Sequence, residues 1–155
     1  MQENTIRNAV RAIIIEDGKI LLCKYSDDEG DFFACIGGGQ DYYEDMHSAL
    51  ARECKEEINC EIDIGKLVFV REAFIKGNEE NGDLKAIHQI EYFFKCSIQD
   101  NQEVRPGDKP DLCSLGIEWV SIEQLNEIRI YPNLFKEYIH IDGSLQDIIY
   151  LGFKD

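Results

Sequence analysis

The stretch Gly37–Cys60, GGGQDYYEDMHSALARECKEEINC, decides how the chain folds. Three glycines open it, an acidic and aromatic turn follows, and the remainder has helical character. On a helix each residue advances about 100° around the axis. With Met46 at zero, Leu50, Cys54 and Ile58 fall at roughly 40°, 80° and 120°, an apolar stripe that faces a core. Ser48, Arg52 and Lys55 fall on the far side, at roughly 180° to 240°. Glu53 and Glu57 land on the edge of the stripe, within about 20° of zero, with Glu56 beside them at roughly −80°. Three carboxylates therefore share one ridge. Like charges repel there, and the adjoining core raises the cost of their charge. A divalent cation is the simplest compensation, and oxygen ligands without histidine favour Mg²⁺ or Mn²⁺ over zinc. A solvated acidic face is the other reading that helix geometry leaves open.

Gly37, Gly38 and Gly39 add a backbone path closed to other residues. A glycine loop ahead of a helix lets main-chain amides approach a phosphate. A glycine loop feeding a carboxylate ridge is far more specific than either part alone. One part suits phosphate, and the other suits the metal that accompanies it.

The stretch resembles the Nudix box, G-x5-E-x7-R-E-U-x-E-E-x-G-U with U aliphatic. Gly38 is the first glycine, Glu44 follows after five residues, and Arg52 and Glu53 follow after seven more. Cys54, Lys55, Glu56, Glu57, Ile58, Asn59 and Cys60 complete it. Cys54 and Cys60 stand where the pattern has aliphatics, a mild change because free cysteine packs as a small hydrophobe. Asn59 stands for the second glycine, and asparagine is the best substitute where a helix stops in a left-handed residue. Ile36 stands where many relatives have proline. No acid of the box is missing, nor is its arginine.

The resemblance implies a Mg²⁺- or Mn²⁺-dependent hydrolase that cleaves the diphosphate linkage of a nucleoside diphosphate joined to a group X. Glu53, Glu56 and Glu57 are implied to hold metal, Glu44 to hold the loop or a metal, and Arg52 to orient the catalytic glutamates. The general base is left between Glu56 and an acid of a later loop, such as Glu79, Glu80 or Glu103. The alternative is a Nudix-like module that senses nucleotides without hydrolysing them. A homodimer is left open.

Composition narrows the field. A chain of 155 residues suggests one domain spanning 1–155, with room for a real core. The net charge of −15 argues against a duplex nucleic-acid partner, although cations can reverse the local sign at a small nucleotide. No apolar run is long enough to span a membrane, and MQENTIRNAV has no apolar signal core. The cysteines at 23, 35, 54, 60, 96 and 113 form no CxxC pair and read as reduced core residues of a cytoplasmic protein.

Outward from the box, Ile6 to Ile15 reads as a central strand, Asp17-Gly18 as a hairpin turn, and Ile20 to Tyr25 as its partner strand. Phe32 to Ile36 delivers the glycines. Tyr42 and Tyr43 are expected to pack the loop or border a pocket, packing being favoured. Cys60 to Ile75 has a strand pattern with a bend at Gly65, and Asn78 to Leu84 reads as a polar connection with a second hairpin-type turn. Ile87 to Ile98 is the next strand, where His88 reads as a hydrogen-bonded structural residue. Asp100 to Asp111 is a loop over the site. Leu115 to Val120 is a strand with Trp119 in the core. Ser121 caps a helix Ile122 to Ile128 through a capping box with Gln124. A further helix begins at Tyr131-Pro132 and runs to about His140, and the tail Asp142 to Asp155 docks on the body or on a second subunit. This order predicts an α/β fold: a Nudix-like α/β/α sandwich with a mixed sheet and one catalytic helix after a glycine loop.

Overall fold

The computed structural model describes residues 5–80, 83–111, 113–140, 144 and 148–152, without the side chains of 76–80, 83–86, 134, 135 and 151. Eight strands are described: β1 (Ile6–Glu16), β2 (Lys19–Asp27), β3 (Gly30–Gly39), β4 (Ile62–Glu80), β5 (Asp83–Ile98), β6 (Gly116–Ser121), β7 (Ile130–Tyr131) and β8 (Ile149–Gly152). One α-helix, α1, runs from Met46 to Ile58.

The strands form a mixed sheet in the order β6-β2-β3-β1-β5-β4-β8, with β7 added to β3. β1 is central because it is apolar on both faces. Val10, Ala12, Ile13 and Ile14 are all fully buried. It runs parallel to β5 and antiparallel to β3. Asp17 (φ 48°) and Gly18 (φ 71°) make the tight turn into β2, as Asp-Gly predicts.

Two cores flank the sheet. Ala49, Leu50, Cys54 and Ile58 of α1 pack on Val10, Ala12, Ile14 and Ile36. On the other side Ile13, Phe33, Phe69 and Phe93 meet Leu125, Ile130 and Ile139 of the closing segment. The fold is the α/β/α sandwich expected, with its second helical layer reduced to short turns.

Both helix ends are capped, the C-terminal one as Asn59 predicts. Asp45 is the N-cap, and its carboxylate accepts from the Ser48 amide (3.0 Å). Asn59 stops the helix at φ 54°, ψ 32°, the left-handed conformation that asparagine tolerates.

Several expectations are corrected. The three glycines are not a loop. They end strand β3, with Gly37, Gly38 and Gly39 paired to Arg11, Val10 and Ala9 of β1. The polar connection 78–84 is mostly strand, since β4 reaches Glu80 and β5 starts at Asp83; residues 81–82 lie outside the described residues. The register of β4 on β5 shifts between Ile64 and Leu67, in keeping with the bend expected at Gly65. Ile122–Glu127 is a 3-10 turn, and Ser121 makes no side-chain cap bond, so no capping box forms. Asn133–Glu137 is also a 3-10 turn, and Tyr131 belongs to β7. Both turns are too short to gain from α-helical propagation. Of the tail, β8 docks parallel to β4, and the Tyr150 hydroxyl donates to Glu72. Trp119 is only partly buried, and Cys113 is exposed where the other five cysteines are buried and free.

Candidate active site

Helix α1 lies against β3 and β1, so its acid edge meets the last residues of β3. Glu57 goes deepest, at 4 % exposure. Its Oε2 accepts from the Gly37 amide at 3.0 Å and from the Cys23 thiol at 3.7 Å. Its Oε1 is buried with no hydrogen-bond partner among the described residues. Burial pushes this carboxyl up to about 7, while the Gly37 amide pulls the other way and the Asp111 carboxylate adds to the rise. Glu53 is also lifted by burial, against the pull of Arg52. Glu56 is more open, its side chain 29 % exposed.

Arg52 gathers the acids. Its Nε and Nη2 donate to the two oxygens of Glu44 at 2.9 and 3.0 Å, a forked pair. Nη1 donates to Glu53 at 2.8 Å and to Glu56 at 3.5 Å, and Nη2 also donates to the Gly39 carbonyl at 3.0 Å. Ideal helix angles put Arg52 on the wet side, but its long side chain reaches back over the turn. The bond from Arg52 keeps Glu44 below the usual carboxylate range. Both Glu44 oxygens are engaged by Arg52, and one also accepts from the Asp41 amide at 3.1 Å. Both oxygens are thus engaged in holding the 41–52 turn together.

The glycines work by proximity. A methyl at Gly38 would stand 2.6 Å from the Glu53 carboxyl carbon. One at Gly39 would stand 2.5 Å from the Arg7 guanidinium. Gly37 has φ 138°, and a methyl there would meet the Val10 carbonyl at 2.0 Å. The Gly38→Ala variant is expected to fold, because the group it meets is a side-chain end. It must displace Glu53, so turnover is expected to fall by up to about 10²-fold. Steady-state kinetics beside a thermal melt check this, and unchanged kcat would show that the placement of Glu53 is immaterial.

Residues 105–109 are strapped to the end of α1 instead of hanging over the site. The amides of Arg105, Gly107 and Lys109 donate to the carbonyls of Ile58, Glu57 and Glu56 at 3.0 to 3.2 Å. Gly107 has no room for a side chain, since a methyl would lie 1.9 Å from the Glu56 carbonyl oxygen. The strap delivers Asp111, which joins Glu57 and Cys23 around a small crevice. Nothing in the sequence singles out Asp111 for this place. Glu103 instead pairs with Arg105 on the surface (2.6 Å), and the side chains of Glu79 and Glu80 lie outside the described residues.

A second polar group sits behind Gly37. Arg11 Nη1 donates to the Gly37 carbonyl at 2.6 Å, and Nε donates to Glu91 at 3.1 Å. Arg71 and Gln89 also donate to Glu91, at 2.7 and 3.1 Å. Burial pushes Glu91 up, but Arg11 and Arg71 hold it below its ordinary range. This network lines a cavity of about 680 Å³ that continues past Tyr25, Phe32, Arg129 and Tyr131. Tyr42 and Tyr43, expected to pack, are fully exposed beside a separate cleft. His88 has the structural role expected, against Glu72 (3.3 Å) and Phe74.

The donor set suits a hard divalent cation. A buried carboxylate oxygen without a partner costs free energy that an oxygen-seeking cation removes. Glu57 and its neighbours Glu53 and Glu56 fit that role, although among the described residues no three acid, His or Cys side chains already converge on one coordination point.

A family model for the NUDIX domain matches residues 5–139. The chain belongs to the Nudix family. Its Nudix box is the helix and strand end just described. Among curated relatives, the nucleoside triphosphatase NudI of Enterobacter sp. (strain 638) is 32 % identical over 127 residues, 79 % of this chain and 86 % of that protein. A NUDIX hydrolase crystal structure from Nitrosomonas europaea superposes with a TM-score of 0.67 at 19 % identity, over 97 % of this chain and 81 % of that one. An ADP-ribose pyrophosphatase from Streptococcus suis gives 0.60 at 18 % identity, over 97 % and 100 %. The last two likenesses concern the fold. As a Nudix hydrolase, the chain is an enzyme of pyrophosphate bonds.

Proposed function

We propose that this Nudix hydrolase cleaves the diphosphate linkage of a small nucleotide, a nucleoside diphosphate joined to X, with Mg²⁺ or Mn²⁺ held at Glu53, Glu56 and Glu57. The observation that carries the metal assignment is the partnerless buried Oε1 of Glu57 beside two further acids. When bound, the ion would neutralise phosphoryl oxygens and lower the pKa of water. Arg52 fixes Glu53 and Glu56 through charge-assisted bonds, so the acids need no reorganisation during reaction. Glu56, the most open of the three, is the residue assigned to take the proton from the attacking water, with Asp111 the competing base. Gly37, Gly38 and Gly39 serve by letting Glu53, Glu57 and substrate phosphates approach the strand closely.

A nucleoside triphosphate is favoured, because the relatives above 30 % identity are named for that activity. The net charge of −15 speaks for a small substrate over duplex nucleic acid. Among the described residues no helix is long and apolar enough to cross a membrane. Free buried thiols suit a reducing compartment such as the cytoplasm. The test is a panel of nucleoside triphosphates, ADP-ribose, dinucleoside polyphosphates and nucleotide sugars with Mg²⁺ or Mn²⁺, assayed for released phosphates. Metal-dependent release from at least one is expected. Tight binding of a nucleotide without release would favour a sensing module instead.

A further inference from the structure

Glu57 has one strong donor among the described residues. The Cys23 thiol at 3.7 Å is a weak donor, so the Gly37 amide at 3.0 Å settles where the carboxylate points. Gly37 cannot hold itself in place. Its φ of 138° is open to glycine without strain, but glycine has no side chain to fix it there. Arg11 supplies the hold. Successive side chains of β1 point to opposite faces of the sheet, so Val10 enters the core beneath α1 and Arg11 lies on the other face. From there its Nη1 donates to the Gly37 carbonyl at 2.6 Å, a short charge-assisted bond. Gly37 is thus gripped twice, through its amide by Glu57 and through its carbonyl by Arg11. Arg11 is itself anchored. Glu91 accepts from its Nε at 3.1 Å, and also accepts from Arg71 and Gln89. Glu91, Arg71 and Gln89 are each 5 % exposed or less. A buried ionic group of this kind adds little stability over well-packed apolar side chains, so folding alone gives it no reason.

We infer that Arg11 is a positioning residue of the hydrolytic site: anchored on Glu91, it fixes Gly37 from the far face of the sheet, and so keeps Glu57 Oε2 on the Gly37 amide with Oε1 left for the cation. This rests on the reading of Glu57 as a metal ligand. Arg11 touches neither cation nor substrate in this role. Groups that orient a metal ligand from behind change metal affinity or activity by about 10- to 100-fold when they are removed. Arg11 does the same at one remove, through a backbone residue. Lysine is an incomplete substitute, because a single ammonium has no fork to span the Gly37 carbonyl and Glu91 together.

The test joins three measurements: amide hydrogen exchange by NMR in chelator, calorimetric titration with Mn²⁺ in the absence of nucleotide, and steady-state kinetics. In Arg11→Met the Gly37 amide is expected to exchange about 10- to 150-fold faster, the worth of one charge-assisted bond. The Phe33 amide, which bonds the Arg129 carbonyl at 2.9 Å earlier in β3, should keep its protection. Mn²⁺ affinity should weaken by about 10- to 100-fold and kcat should fall, while KM for the nucleotide at saturating Mn²⁺ stays at the wild-type level. Arg11→Lys should recover part of each loss. Glu91→Gln, which leaves Arg11 in place with a weaker anchor, should repeat the pattern at smaller size, and these two variants carry the readings if Arg11→Met does not fold. Wild-type protection of Gly37 in Arg11→Met would overturn the role. So would loss of protection along the whole of β3, which marks a purely structural residue, or a raised KM with Mn²⁺ affinity unchanged, which marks a residue that grips substrate. A wild type that binds no Mn²⁺ removes the metal reading and this role with it. A wild type that binds, beside variants that bind equally well, removes this role alone.

Discussion

Glu57→Gln is expected to lower kcat by about 10²- to 10⁴-fold, in a protein that melts at the wild-type temperature or above it when metal is absent. The two halves of this result have one cause. Glutamine keeps an oxygen to accept from the Gly37 amide, so the contact between α1 and β3 survives. It loses the charge whose burial, without a partner at Oε1, costs the metal-free protein stability. A carboxylate kept in such a place despite its cost points to a use outside folding. Glu53→Gln and Glu56→Gln should show the same loss of turnover with smaller changes in melting, because their side chains are more exposed. Kinetics in saturating Mg²⁺ and melts in chelator check both halves. Near wild-type turnover in folded Glu57→Gln and Glu56→Gln would end the proposed mechanism.

The parts of the site that the sequence discloses are those fixed by local spacing. The acid ridge follows from 3.6 residues per turn, the stop at Asn59 from left-handed tolerance, and the first hairpin from Asp17-Gly18. Arg52 emerges through the family pattern and not through geometry, because helix angles ignore how far a long side chain reaches. In the sequence the glycines read as a phosphate-approaching loop, but their cause is non-local: Val10, Arg7 and Glu53 crowd the end of a strand. Glu91 meets Arg11 and Arg71 only because β5 runs parallel to β1 and antiparallel to β4 in one register, which places Glu91 opposite Ala9 and Arg71. No local pattern encodes that register. Asp111 arrives by backbone bonds from 105–109 to the helix end, which leave almost no trace in side-chain identity. Gly107 is the one visible mark, and glycine in a Pro-rich loop reads as an ordinary turn.

The buried acid also predicts how metal and pH trade places. Burial lifts Glu57 from 4.5 to about 7, so the folded chain holds this proton more tightly than the unfolded chain. The stability it contributes is fully present below the unfolded value and is lost as pH rises through about 7. The raised Glu53 carboxyl acts in the same sense. Glu91 has the opposite sign, because its depressed carboxyl stabilises above the unfolded value and loses that contribution in acid. In chelator, then, stability is expected to fall between pH 5 and 8 by up to about 3 kcal/mol, since every tenfold gain in proton affinity on folding is worth about 1.4 kcal/mol. For a domain of this size that is a fall in Tm of roughly 6–12 °C. Mg²⁺ or Mn²⁺ competes with the proton for the same oxygens, so its stabilising effect should grow over that range and reach about 2.7 kcal/mol at a hundred times its Kd. Melts from pH 5 to 8, with chelator and with saturating Mn²⁺, read both trends. Glu57→Gln should flatten the chelator curve and remove most of the metal's effect. A chelator curve that is level from pH 5 to 8 in the wild type, together with no change in Tm on adding metal, would mean that the partnerless oxygen is no cation seat.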